Sequence, residues 1–482
     1  MDQSNNVLST LKDKKIAVIG LGIEGVALCD FLIGRVESIT VLDKLSPSEL
    51  KDKVSPELSS KIDKILHSDE IKFHFGSDYL SNLSDFDLAF RSPSVYFADS
   101  QLKLAEENGT KISSQISLFF DLCPCQIIGV TGTKGKGTTA SLLTEIISEK
   151  FESTGSGTKV YLAGNIGYPA ITLIPELSAD DLVVLELSNF QLADLTKSPH
   201  LAIVTNLSVD HLDYHKTKEE YHLAKASIVR YQTESDFVVL NDQSTFSNDV
   251  LKNVKSKKYY FSNMDSVSAS AVVVDRDGHD TVVLDPNNRN ITICNEKNIK
   301  LLGRHNLENI AAASLAADIL GIESTIISSV AKKFVGLTHR LEMVKEIHGV
   351  KYINDSFATN PEPTIAAVKS FREPKILILG GSEKGADFDE LGRVIANSNV
   401  KAAILIGVEK TRIQKSLLAA SFAGTIILPS GNIDTIVSQA QALAAPGDVV
   451  IFSPACASFD MFKNYKERGD KFKAAVFGLS DK

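Results

Sequence analysis

Short apolar runs recur along most of the chain: KKIAVIG, SITVLD, CQIIGV, DLVVLEL, LAIVTNL, PKILILGG, KAAILIGV and DVVIFSPA. They are continuous rather than alternating and rich in Val and Ile, which suits parallel strands buried on both faces. The stretches between them are long enough for crossover helices, so the pattern predicts α/β layers. Between residues 236 and 302 the pattern changes. DFVVLN, KYYFS, AVVVD, TVVLD and ITIC are separated by turn-forming Asp, Asn and Gly, which predicts a small β-rich excursion from a central domain. There is no repeat of fixed period and no low-complexity tract. Breaks near residues 118 and 337 divide the chain into three expected α/β domains, 1–118, 119–337 and 338–482. Each would offer the C-terminal ends of its strands to a ligand.

A chain of 482 residues is too long for one core, in agreement with that division. Its 43% hydrophobic and 23% charged residues are those of an ordinary globular protein. No apolar run reaches the roughly 18 residues of a membrane helix. The polar start MDQSNNVLSTLKDKK has no signal core, so a cytoplasmic protein without a membrane partner is expected. A net charge of -9 disfavours nucleic acid as a partner. The cysteines at 29, 123, 125, 294 and 456 contain no Cys-x-x-Cys pair, so neither a zinc site nor a disulfide framework is indicated.

Two glycine turns carry the first chemical signals. The run KKIAVIG enters Gly20-Leu-Gly22-Ile23-Glu24-Gly25, and Asp43 ends the next strand. This is the fingerprint for a diphosphate at a helix N-terminus, and it leaves NAD and a nucleotide sugar both open. QIIGV enters a second turn, Thr131-Gly132-Thr133-Lys134-Gly135-Lys136-Gly137-Thr138-Thr139, which leads into a helix. Backbone N–H groups of such a loop cradle phosphates, and its lysine neutralises the β and γ phosphates. Gly137 stands where a magnesium-binding hydroxyl is usual, so Thr138 or Thr139 must serve. Glu186 ends another predicted strand, and Asn206, Asp210, His211 and Asp213 follow a further one. A carboxylate and an imidazole beside a triphosphate are suitable Mg2+ ligands.

Further stretches follow in order: GNIG at residues 164–167, LELSNFQL, NLSVDHLDYH, GRHNLENIAAA, GLTHRLE, INDSFATNP, LGGSEKGADF and SPACASFDMFKNYKERG. With TGTKGKGT they make the whole chain resemble the Mur ligases, and among them the D-glutamate-adding branch. The resemblance implies a three-domain architecture: an N-terminal Rossmann-like domain, a central P-loop domain and a C-terminal Rossmann-like domain. It implies an ATP-dependent carboxylate–amine ligase, acting as a monomer. The carboxylate of UDP-N-acetylmuramoyl-L-alanine would be phosphorylated by ATP with Mg2+, and D-glutamate would attack the acyl phosphate.

The same resemblance assigns roles. Gly22, Ile23, Glu24, Asp43, Ser92, Asn165 and His211 would meet the UDP substrate. Residues 132–139, with Asn306, Asn309, Arg340 and Asp355, would bind ATP. Thr138, Glu186, His211 and Lys225 would hold metal, Lys225 as a carbamate. Lys136, Glu186, His211 and Lys225 would be the catalytic set. Thr359, Lys384, Ser458 and Phe459 would take D-glutamate. Read from its residues alone, Lys225 is a solvated helix lysine. The chain departs from the family pattern at Lys134 (usually Asn), Gly137 (Ser or Thr), Ser94 (Gly), Phe357 (Lys) and Tyr465 (Phe). The rival readings are a folylpolyglutamate synthase-type ligase and a non-catalytic nucleotide-binding module.

Overall fold

The computed structural model describes residues 2–208, 217–244, 246–266, 268–285, 288–383 and 385–479. These fall into two compact units, Met1–Lys297 with Leu307–Lys332, and Asn298–Asn306 with Lys333–Lys482. Among the described residues twenty strands build three sheets.

In the first unit, β1 (Lys15–Ile19), β2 (Ser38–Asp43), β3 (Ile71–Phe75), β4 (Leu88–Arg91) and β5 (Lys111–Ser114) form a parallel sheet in the order 3-2-1-4-5. The order reverses at β1, so the crevice beyond its C-terminal end is a switch point. The first glycine turn lies there. Gly25 must be glycine because a Cβ would fall on the carbonyl oxygen of Gly20.

The second sheet of the same unit contains β6 (Gln126–Thr131), β7 (Val160–Gly164), β8 (Leu182–Glu186), β9 (Leu201–Val204), β10 (Phe237–Asn241), β11 (Lys257–Ser262), β12 (Ala271–Arg276), β13 (His279–Leu284) and β14 (Ile291–Asn295). Its order is 14-13-12-11-10-9-6-8-7. Strands 6 to 12 pair in parallel, and β12, β13 and β14 pair antiparallel. The region 236–302 therefore differs from the expected excursion: it continues the main sheet past β9. Phe237 pairs with Leu201 and Val238 with Ala202, a long-range register that short strand runs cannot announce.

The helix Gln115–Leu122 passes through residue 118 and serves two cores. Leu118 and Leu122 pack with Val18, Val26 and Phe31 of the first sheet's layer. Ile116, Phe119 and Phe120 pack with Val183, Leu185 and Ala202 of the second.

The second unit holds β15 (Glu342–Ile347), β16 (Val350–Asn354), β17 (Lys375–Gly380), β18 (Val400–Ile406), β19 (Thr425–Ile427) and β20 (Val449–Phe452). Their order is 15-16-20-17-18-19, parallel except for the hairpin β15–β16. Every residue of β17 and β20 is buried, as the continuous apolar runs predict for central strands.

Candidate functional site

The second glycine turn is built by its neighbours as much as by its own residues. It joins β6 to the helix Lys136–Thr154. Gly135 begins that helix with φ 84°, and a Cβ there would strike the side-chain amide of Asn309. Only glycine takes this left-handed position without strain. Asn206, just past β9, accepts from the N–H groups of Thr133 (3.2 Å) and Lys134 (2.8 Å) through its Oδ1. The Thr205 hydroxyl donates to the Lys134 carbonyl at 2.5 Å. Thr131 donates its hydroxyl to the Leu187 carbonyl at 2.8 Å, tying the loop to the end of β8.

Two lysines converge on this loop. Lys136 Nζ donates to the carbonyls of Gly132 (3.1 Å) and Thr133 (3.2 Å). Lys225 Nζ, from the helix Lys218–Arg230, donates to the same Gly132 carbonyl at 3.0 Å and lies 4.8 Å from the Tyr221 ring centroid. Lys225 is only 1% exposed, which overturns the reading of a solvated helix lysine. Helical periodicity does not reveal that its face of the helix turns inward under the loop. Beside the loop, Glu186 is buried at the end of β8, level with Val130 of β6 and Gly164 of β7. Asn165 donates to Glu186 Oε1 at 2.8 Å. Thr138 and Thr139 are buried, and the Thr139 hydroxyl donates to Asn309 Oδ1 at 3.4 Å. These groups supply oxygen donors of the kind Mg2+ prefers. His211, with Asp210 and Asp213, lies outside the described residues.

At the first glycine turn Asp43 has a definite task. Its carboxylate accepts from Leu21 N (2.7 Å) and Leu45 N (2.8 Å), so it holds the shape of the turn itself. Gly22 precedes the helix Ile23–Leu32, and Ile23 is exposed at its start. Glu24 accepts from Gln191 Nε2 at 2.6 Å, and burial raises its carboxyl above the ordinary value. Ser92 Oγ lies 3.0 Å from Ser94 Oγ.

Arg91 was not singled out from sequence. Its fully buried guanidinium pairs with Asp194 at 2.8 Å and donates to the carbonyls of Val95 (2.6 Å) and Phe190 (2.9 Å). It thus joins the end of β4 to the segment SNFQL that follows β8. A lone arginine after an apolar strand carries no signal for that pairing.

The second unit has its own cluster. Asp355 is buried, accepts from Leu341 N (3.1 Å) and Ser453 Oγ (2.7 Å), and is pushed up to about 7 by burial. It fixes the turn that carries Arg340, whose guanidinium lies 4.4 Å from the Phe357 ring centroid. Phe357 in turn meets Tyr465 edge-on at 5.1 Å. Two residues unlike the family pattern therefore touch, and one of them, Phe357, lies against this arginine. Arg468, fully buried, clamps the loop through the Ser356 carbonyl (2.7 Å), Ser356 Oγ (3.0 Å) and the Cys456 carbonyl (2.9 Å). Burial lowers it to about 10. Asn306 is buried and donates to the Leu302 carbonyl at 2.7 Å. Ser458 is buried, Thr359 is half-buried, and Phe459 is 68% exposed with its N–H donated to Ser382 Oγ at 3.2 Å. Lys384 lies outside the described residues.

Comparison with known proteins accounts for all three sheets. Residues 14–114 match the Mur ligase MurD-like N-terminal domain, 130–317 the Mur ligase middle domain, and 339–456 the Mur ligase glutamate ligase domain. The UDP-N-acetylmuramoylalanine–D-glutamate ligase of Acetivibrio thermocellus is 39% identical over 98% of both chains. The enzyme of that name from Clostridium kluyveri is 38% identical over 97% of both. Among solved structures, UDP-N-acetylmuramate–alanine ligase MurC from Thermotoga maritima matches with a TM-score of 0.57 at 16% identity, covering 96% of this chain and 99% of that one. MurF from Acinetobacter baumannii matches with 0.58 at 15% identity, covering 85% and 83%. These two establish likeness of fold. With its three domains matched in order and relatives of such identity over nearly the whole length, the chain belongs to the Mur ligase family.

Proposed function

We propose that this protein joins D-glutamate to UDP-N-acetylmuramoyl-L-alanine at the expense of ATP, within peptidoglycan precursor synthesis. The observation that carries the reading is the convergence of Lys136 and Lys225 on the phosphate-loop carbonyl of Gly132, with Glu186 at the adjoining strand end. A loop so arranged receives a triphosphate, and the relatives supply the identity of the acceptor and donor. Residues 1–118 take the UDP substrate, 119–337 take ATP, and 338–482 take the amino acid. The enzyme works as a monomer in the cytoplasm. Among the described residues no helix is long and apolar enough to cross a membrane.

Bound Mg2+ would offset the charge of the transferring phosphoryl group. Glu186, Thr138 and His211 are its proposed protein ligands. Thr138 follows Gly137 directly in the first turn of the helix Lys136–Thr154 and is buried there. A carbamate on Lys225 would replace a buried cation by an anion able to support a second ion. Lys136 steadies the γ-phosphate while the substrate carboxylate attacks it, the bond to the β-phosphate breaks and ADP leaves. The amine of D-glutamate then displaces phosphate from the acyl phosphate, with Lys384, Thr359, Ser458 and Phe459 orienting the amino acid and Arg340 steadying ATP. Asn306 and Asn309 belong with the nucleotide in this reading, Asn309 from the phosphate-loop side.

The test is phosphate release from ATP with UDP-N-acetylmuramoyl-L-alanine and, in separate runs, D-glutamate, L-glutamate and D-aspartate. Release that requires D-glutamate supports the reading. Equal release with all three amino acids, or none, defeats it.

A further inference from the structure

Two thiols ahead of β6 take no part in the site above. Cys123-Pro124-Cys125 lies between the helix Gln115–Leu122 and β6. Cys123 has extended torsions, φ -63° and ψ 121°. Clash with the following proline ring favours that region, and in extended chain, residues two apart project to the same side. The two Sγ atoms are 3.6 Å apart. A disulfide needs about 2.05 Å, so a closure of roughly 1.5 Å would join them. The other three cysteines, Cys29, Cys294 and Cys456, are buried, and burial pushes each thiol up to about 12. Cys123 and Cys125 instead are half-buried and line a surface pocket of about 370 Å3 with Phe120, Ser198, Pro199 and Tyr231. That pocket lies at the start of β6, and the phosphate loop lies at the other end of the strand.

We propose that Cys123 and Cys125 form a redox-active dithiol that exchanges with low-molecular-weight disulfides entering this pocket. Cys123 is the attacking sulfur. The proton shared between the two sulfurs holds Cys123 below the usual thiol range, while that sharing and burial push Cys125 up. The Cys123 thiolate attacks one sulfur of the small disulfide, that S–S bond breaks, and a small thiolate leaves. Cys125 then loses its proton to solvent and attacks Cys123 Sγ in the mixed disulfide. The second small thiolate leaves and the Cys123–Cys125 bond forms. The protein thiols give up two electrons and two protons, and the small disulfide is released as two thiols.

The test incubates full-length protein with oxidised glutathione, alkylates the remaining thiols and measures peptide masses. The expected result is an internal disulfide in the peptide holding Cys123 and Cys125, with Cys29, Cys294 and Cys456 still free thiols. Cys125→Ser should stop at a stable mixed disulfide on Cys123. Cys123→Ser should form a mixed disulfide at least about tenfold more slowly. Recovery of Cys123 and Cys125 as free thiols, equal rates for the two single variants, or reaction of all five cysteines together would each overturn the proposal.

Discussion

Lys136 and Lys225 reach the Gly132 carbonyl from different elements, Lys136 from the loop's own helix and Lys225 from the helix Lys218–Arg230. The Gly132 carbonyl is a modest partner for two amines, and phosphate oxygens are a stronger one. Lys136→Ala is therefore expected to abolish phosphate release with little change in melting temperature, because Lys136 sits on a half-buried loop surface outside the apolar cores. Turnover within about tenfold of the parent would remove Lys136 from the proposed phosphoryl transfer. Asp355 offers a test of stability instead. Its carboxyl titrates near 3.9 when unfolded and about 7 when folded. The folded state binds the proton more tightly, so this group's stabilisation is present below the unfolded value and is lost as pH rises from about 4 to about 7. Asn at 355 removes the titration. Melting of Asp355→Asn compared with the parent should show the variant gaining relative stability over that window, by a few kcal/mol at most in order of magnitude. The difference curve isolates Asp355 from His339, whose burial lowers it and gives a slope of opposite sign. A flat difference would mean that Asp355 stays ionised beside Arg340 and Arg468.

At the scale of elements, the phosphate loop works because two helices meet over it. Gly135 opens the helix Lys136–Thr154 in the left-handed region, and Asn309 of the helix Arg304–Ile319 closes against it. Gly135→Ala would add both backbone strain and a collision with Asn309. The strain alone is about 1–3 kcal/mol, so the melting temperature should fall by several degrees. Adding Asn309→Ala removes the collision but not the strain, and should recover part of that loss in melting temperature, a readout that does not depend on the nucleotide contact assigned to Asn309. A double variant no better than the single one would show that the collision contributes nothing. The loop itself was legible in sequence because its glycines, lysines and threonines are contiguous and follow an apolar strand. The clamp on it was not, since Asn206, Thr205, Lys225 and Asn309 arrive from three later segments. Asp43 shows the same limit: spacing placed it at a strand end, but only the structure shows both its oxygens committed to the backbone of Leu21 and Leu45. The strands from 237 to 295 were legible as strands, while their place in the central sheet depends on register with β9.

Across the whole molecule, each of the three sheets ends in a loop cluster of a different chemical character. The first offers a glycine turn shaped by Asp43, the second a cationic phosphate loop, and the third a loop fixed by Asp355 and Arg468. If each serves one substrate, damage should separate by substrate in the kinetics. Lys225 and Lys384 give the sharpest form of this expectation, because their charges are proposed to act in opposite senses. Lys225 is buried under the phosphate loop, where a carbamate would act as an anion. Lys384 follows the glycines that end β17, where it would act as a cation toward D-glutamate. Lys225→Ala should lower turnover whichever substrate is varied, and short carboxylates added in solution should restore part of it by supplying the missing anion. Lys384→Ala should raise KM for D-glutamate selectively, since a charge-assisted hydrogen bond of about 1.5–3 kcal/mol is lost, roughly ten- to a hundredfold. Some fall in kcat should accompany it where the amine is also misplaced. The measurement is KM for ATP, D-glutamate and the UDP substrate in both variants. A D-glutamate KM unchanged by Lys384→Ala but raised by Lys225→Ala would reverse the assignment, and would place the amino acid against the helix Lys218–Arg230 instead.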